Sequence, residues 1–181
     1  MTDHWTIEPL CRDDASAMLE IFNHYVEHGF AAYVEKPAAI DLMLRLLDEA
    51  SDLAAIGARD TQGRLVGFSL LRPYAPREAF PKTAQVTTFI GPNWTGHGLG
   101  TAMLERLVDE AHKLGLTSLL AHVSSQNPGS LAFHGRQGFT ECGRLRGIGS
   151  KQGASFDVVW LQRMLSTVDK KAKEDQAWIS P

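Results

Sequence analysis

The stretch that most limits how this chain can fold is AQVTTFIGPNWTGHGLGTAMLERLVDEAHKLG, from Ala84 to Gly115. It reads as strand, glycine-rich turn and amphipathic helix in direct succession. Met103, Leu104, Leu107, Val108, Ala111 and Leu114 fall on one side at helical spacing, and Glu105, Arg106, Asp109, Glu110, His112 and Lys113 on the other. The spacing predicts a helix from about Gly98 to Leu114, stopped by Gly115. Gly96, Gly98 and Gly100 crowd its start, where each costs ordering entropy. Free amides at a helix N-terminus, with the helix dipole behind them, favour a bound anion. Glycine lets the anion approach the backbone. A tight turn without a ligand is the alternative.

Two common phosphate motifs do not fit. A P-loop needs a lysine followed by Ser or Thr after its last glycine, and none follows Gly100. A dinucleotide loop is GxGxxG after the first strand of a βαβ unit. Here the pattern GHGLG is GxGxG, and it falls mid-chain.

Around this centre the sequence supplies short strands and helices. WTIEPL (5–10) reads as a first strand, and Asp13 or Asp14 can cap a helix carrying Met18, Leu19, Ile21, Phe22, Tyr25 and Val26. A second helix follows Pro37, with Ile40, Met43, Leu44 and Leu47 on one face. LAAIGAR and RLVGFSLL are strands joined by the hairpin signal DTQG. RPYAPREAFPK, with three prolines, is an irregular loop. SLLAHV, FTECGRLR and SFDVVWLQ are later strands, and PGSLAFHGRQ is a short helix. The expectation is one mixed α/β domain over 1–165 with a polar tail at 166–181.

A net charge of −3 gives no basic face for nucleic acid. No apolar run has membrane-spanning length. Cys11 and Cys142 form no disulfide framework, and no metal-ligand spacing occurs. The reading is a reduced, cytoplasmic protein with no metal, no nucleic-acid partner and no membrane.

TGHGLGTAML resembles the acyl-CoA pyrophosphate motif of the GNAT superfamily of N-acetyltransferases, (Q/R)xxGx(G/A), with Gly98 and Gly100 in the glycine positions. Thr95 stands where Gln or Arg is usual. SSQNPGSLAFHGRQGF matches a later family segment, and IFNHYV, LRPYAPREAF and LRGIGSKQG are similar to the phosphinothricin and methionine sulfoximine acetyltransferase branch. The resemblance runs from Trp5 to Leu165. It implies a bent mixed sheet with helices on both sides, splayed where the pantetheine arm enters, and it implies a homodimer.

Acetyl transfer from a thioester to an amine needs a proton removed from the amine, a stabilised oxyanion and a protonated thiolate. The resemblance implies that acetyl-CoA rests its diphosphate on Thr95, Gly96, His97, Gly98, Leu99, Gly100 and Thr101. It further implies that Phe89 and Ile90 bond the pantetheine through their backbone, and that Asn127 and Ser130 contact the cofactor arm. His134 stands where many relatives carry a thiolate-protonating tyrosine and where this branch carries histidine. Imidazole titrates near neutrality and can pass a proton to sulfur; a structural histidine on a short helix is the alternative.

The base departs from the branch. Counting back along the fourth strand from Ile90 puts Gln85 where a glutamate is usual, and an amide takes no proton at neutral pH. Gln85 positions a water, or another group is the base, or transfer is slow. On the substrate side Arg77 matches one carboxylate-binding arginine, Ala75 replaces the other, and Arg72 stands near enough to substitute. Lys151 remains in the last segment as a substrate-binding candidate. His4, His28, His112 and His122 show no partner pattern, and His24 reads as structural. The expected activity is acetylation of the primary amine of a small amino-acid-like compound by direct attack in a ternary complex. An acyl-CoA-binding domain with weak catalysis and an acetyltransferase of protein or peptide amines are the alternatives.

Overall fold

The computed structural model describes residues 4–75 and 78–165. In chain order these form β1 (Trp5–Pro9), α1 (Ala15–Glu27), α2 (Ile40–Glu49), β2 (Ala54–Asp60), β3 (Leu65–Pro73), β4 (Thr83–Ile90), α3 (Leu99–Lys113), β5 (Ser118–Ser124), α4 (Pro128–Arg136), β6 (Thr140–Lys151) and β7 (Ala154–Met164). The seven strands make one sheet in the order β1-β2-β3-β4-β5-β7-β6. All neighbours are antiparallel except β4 and β5.

Helices cover both faces, and strand alternation decides which residues meet which helix. Ala84 and Val86 of β4, and Leu119, Ala121 and Val123 of β5, join Met103, Leu104 and Leu107 of α3 in one core. Phe68 and Leu70 of β3 pack with Met18, Phe22 and Val26 of α1 and Met43 and Leu47 of α2 in the other. Leu99, Met103, Leu104, Leu107, Val108 and Ala111 are all buried on α3. Each such burial contributes roughly 1.5–3 kcal/mol. The glycine in the first turn costs only about 1 kcal/mol against alanine. Packing therefore carries α3, and its first turn is free to serve a ligand.

β4 and β5 pair only over Thr83–Gln85 and Ser118–Leu120. Beyond Gln85 and Leu120 the two strands run on, to Ile90 and Ser124, without pairing. This is the splay that places the site.

One local expectation is corrected. Asp14 stands at the α1 N-cap, but its side chain caps no amide of that helix. Its Oδ2 instead accepts from the Cys11 amide (3.0 Å), closing the 3-10 turn ahead of α1, and its Oδ1 accepts from Arg59 Nη2 (2.6 Å). The segment LRGIGSKQG runs from the end of β6 into the turn before β7, with a register shift between Leu145 and Gly149 that takes up Gly147. No helix among the described residues is long and apolar enough to cross a membrane. Arg77 and the tail 166–181 lie outside the described residues.

Candidate active site

A cavity of about 710 Å³ fills the splay and passes through the sheet. Thr95, Gly96, Gly98, Gly100 and Thr101 line one end of it. Gly96 and Gly98 both hold φ of +82°, the left-handed region that glycine enters without a Cβ penalty. No side chain caps the first turn of α3, so its leading amides are donors that the helix itself cannot satisfy. A Cβ built on Gly96 or Gly98 would meet nothing within 4 Å, so a diphosphate can lie against the bare backbone there. These residues fit the diphosphate of acetyl-CoA. Leu99 is fully buried in the core, so it can offer only its amide. His97 lies outside the cavity lining.

Phe89 and Ile90 line the middle of the cavity. Tyr25 of α1 donates its hydroxyl to the Ile90 carbonyl at 2.6 Å and lines the same wall. Sequence periodicity placed Tyr25 in the core, and its ring does pack on Phe89.

α4 closes the cofactor side. Asn127 is its N-cap, with Oδ1 accepting from the Ser130 amide at 3.1 Å. Asn127, Ser130 and His134 all line the cavity. His134 is 8% exposed, and its Nδ1 lies 2.8 Å from the Ser130 carbonyl and 3.4 Å from Ser130 Oγ. A carbonyl only accepts, so Nδ1 carries the hydrogen and neutral Nε2 carries a lone pair. Burial pushes the His134 pKa below its ordinary value, against the opposing pull of the Ser130 carbonyl. At neutral pH this imidazole therefore receives a proton before it can donate one.

On the opposite face, three expected residues are placed differently. Gln85 lies in the last paired row, between Arg72 of β3 and Leu120 of β5, and outside the cavity lining. Arg72 donates Nη1 to Glu49 Oε2 (2.6 Å) and Nη2 to Thr87 Oγ1 (3.2 Å), so it stands beside the cavity already paired. Lys151 is corrected outright. It is 0% exposed, and its Nζ donates to the carbonyls of Gly29 (2.6 Å), Ala32 (2.8 Å) and Tyr25 (3.3 Å). It ties the β6–β7 hairpin to the end of α1 and the 28–39 connection, and it does not reach the cavity. Burial lowers its pKa, partly offset by Glu35.

The structure adds one group that sequence reasoning set aside. His122 of β5 lines the cavity opposite Thr87 of β4. Its Nδ1 lies 3.3 Å from Tyr33 Oη, and its ring leans on Trp160 of β7 at 5.3 Å. The partners come from positions 33 and 160, so no local spacing announces them; only the polar residue inside SLLAHV hinted at an unusual wall. No group of three or more His, Cys, Asp or Glu that could hold a metal occurs among the described residues.

Known proteins supply the family. Residues 16–139 match the acetyltransferase (GNAT) family. The chain is 30% identical over 173 residues to a phosphinothricin N-acetyltransferase from Alcaligenes faecalis, covering 93% of this chain and 87% of the relative. It is 28% identical to an L-methionine sulfoximine/L-methionine sulfone acetyltransferase from Salmonella typhimurium, covering 88% of this chain and 94% of the relative. A GNAT superfamily phosphinothricin acetyltransferase from Sinorhizobium meliloti, solved in complex with acetyl-CoA, superposes with a TM-score of 0.84 at 27% identity, covering 92% of this chain and 90% of that one. A bare-backbone cradle at the start of α3, a splayed sheet and these matches lead to one conclusion: the chain belongs to the GNAT family and is an acetyl-CoA-dependent N-acetyltransferase.

Proposed function

We propose that this enzyme acetylates the primary amine of a small amino-acid-like compound, of the phosphinothricin or methionine sulfoximine kind, by direct attack while both substrates are bound. The observation that carries the reading is one continuous cavity. It joins the glycine cradle on one face to Tyr25, Thr87 and His122 on the other, so thioester and amine can meet inside the splay. The names of the relatives supply the substrate class.

In this reading the amides of Gly96, Gly98 and Gly100 hold the diphosphate, and the exposed edge of β4 at Phe89 and Ile90 guides the pantetheine. Asn127 and Ser130 hold the start of α4 and line the cofactor arm. His134 works as a relay: Nε2 collects a proton released from nitrogen and delivers it to sulfur. Arg72 and Arg77 are proposed to attract the substrate carboxylate, Arg72 by its field while it remains paired with Glu49. Gln85, one row behind the cavity, supports Arg72 and takes no proton. A homodimer and a cytoplasmic location belong to the same proposal, and sedimentation equilibrium at micromolar protein tests the dimer.

The test is free-thiol release from acetyl-CoA with a panel of amines. The panel holds phosphinothricin, L-methionine sulfoximine, L-methionine sulfone, the common amino acids, spermidine and an alanine-terminated peptide. Release confined to the amino-acid-like amines supports the proposal, and release confined to the peptide or the polyamine overturns it. His134→Ala is expected to lower kcat by about 100-fold, in the range for acid–base groups, with the acetyl-CoA Kd nearly unchanged. Wild-type turnover in that variant would remove His134 from the mechanism.

A further inference from the structure

The acceptor enters as an ammonium and must lose two protons, and His134 takes only the one bound for sulfur. Gln85 cannot take a proton and does not reach the cavity, and His134 belongs to the cofactor side. Strand alternation tells what stands on the acceptor side. Leu119, Ala121 and Val123 of β5 face the α3 core, so Leu120, His122 and Ser124 face the α1–α2 layer. On β4, Thr87 takes a bond from Arg72, whose other arm reaches Glu49 of α2, so Thr87 faces that layer too. Gln85 and Leu120 are the last residues that pair. Two residues further on, Thr87 and His122 stand on the two lips of the splay, both on the cavity wall.

We infer that His122 Nε2 is the base that accepts a proton from the acceptor ammonium, across the splay from the place where Gln85 supplies none. The inference rests on the acetyltransferase reading of this same cavity.

Three neighbours prepare the ring. Trp160, its direct strand partner, packs against it and fixes its plane. Tyr33, from the 28–39 connection, meets Nδ1. With the hydrogen on Nδ1 donated to Tyr33 Oη, the Nε2 lone pair is the basic site. Lys151 secures this arrangement from behind, because it binds the carbonyls of Gly29 and Ala32 in the connection that carries Tyr33. Tyr33 meets His122, and the charge of Arg72 of β3, partnered by Glu49 of α2, acts on it; the other ionisable groups on the same cavity wall are Tyr25 of α1 and His134 and Arg136 of α4. β4 and β7 present Thr87 and Trp160, which do not titrate. Burial, and then the charge of Arg72, push the His122 pKa below its ordinary value, so the ring is neutral and basic at pH 7. Burial lifts the Tyr33 pKa to about 12, so it stays a neutral phenol throughout the working range.

The step balances as follows. One ammonium proton passes to His122 Nε2, and the freed nitrogen lone pair forms the C–N bond to the acetyl carbon. The C–S bond breaks, and its electron pair leaves on sulfur. A second proton leaves nitrogen and ends on sulfur by way of His134. His122 then returns its proton to solvent, the one proton that the overall reaction releases. Two histidines thus divide the work, one on each face of the sheet.

The experiment compares wild type with His122→Gln, using the amine of the panel above that wild type acetylates fastest. Acetyl-CoA affinity is measured separately by calorimetry. In wild type, kcat/KM should fall on the acid side through a group with a pKa below that of ordinary imidazole. In His122→Gln, kcat at pH 7.5 should fall by about 100-fold or more, with the acetyl-CoA Kd within about threefold. The acid limb should lose the step that belongs to His122 and keep only that of His134, whose pKa burial also lowers, and the rate should climb with pH as the free amine itself becomes abundant. A merely structural histidine would not produce that change of profile. A variant with wild-type kcat and an unchanged acid limb overturns the inference alone. Should His122→Gln fail to fold, a wild-type profile with no acid limb below the ordinary imidazole pKa still overturns it. Wild-type protein that binds acetyl-CoA and acetylates no amine overturns the proposed function, and this inference with it.

Discussion

Lys151→Met gives the sharpest test of the packing described here, because two readings of the residue predict opposite results. A substrate-binding lysine could be replaced at little structural cost, and only the acceptor KM would rise. A buried lysine donating to three carbonyls is part of the fold. Methionine keeps the length and apolar character of the side chain but removes every donor. The bonds to Gly29 and Ala32, at 2.6 and 2.8 Å, are the ones that count; that to Tyr25, at 3.3 Å, is weaker. Each orphaned buried carbonyl costs roughly 1–3 kcal/mol, so two cost about 2–6 kcal/mol. Methionine recovers part of this, since it pays no ammonium desolvation. The expected net loss is about 3 kcal/mol. At roughly 2–4 °C per kcal/mol for a chain of this size, the thermal midpoint should drop by about 6–12 °C. Differential scanning fluorimetry and urea unfolding read the stability, and calorimetry below the transition should find acetyl-CoA binding within about twofold of wild type. A midpoint within 2 °C of wild type, together with a tenfold rise in acceptor KM, would refute the burial argument.

Two further outcomes are expected. Gly100→Val places a Cβ 3.1 Å from Ile90 Cδ1 and 3.3 Å from Phe133 Cε2, pushing both cavity residues inward; acetyl-CoA Kd should weaken about tenfold, or about 1.4 kcal/mol, and an unchanged Kd would count against the glycine cradle. Arg59→Met leaves the buried Asp14 carboxylate with the Cys11 amide as its remaining strong donor, at a cost of about 1.5–3 kcal/mol. Burial alone would raise the Asp14 pKa, but the Cys11 amide and then the Arg59 guanidinium outweigh it and hold it below its ordinary value. The stability that Arg59 confers through Asp14 is therefore complete above the ordinary carboxylate pKa and lost as pH falls through the folded value. Urea titrations of wild type and variant should differ most at pH 7 and converge towards pH 2; a constant gap would contradict the assignment.

The sequence by itself determined the parts whose physics is local. Strand, glycine turn and α3 follow from periodicity and from backbone angles that only glycine adopts freely, as at Gly96 and Gly98, so this turn was legible before any contact was known. Asn127 as N-cap and His134 one face along α4 are equally local, set by bonds spanning three and four residues. Tertiary structure decided everything that depends on register between distant strands. Lys151 was expected at the substrate because its acceptors lie more than a hundred positions away, at Tyr25, Gly29 and Ala32. Gln85 looked like a site residue because strand position was counted without the place where β4 and β5 part. His122 looked unremarked for the converse reason: Tyr33, Trp160 and the mouth of the splay give it a role, and each is brought to it only by the folded sheet. Backbone geometry is written in neighbouring residues, whereas the partner of a side chain is chosen by the way the strands align.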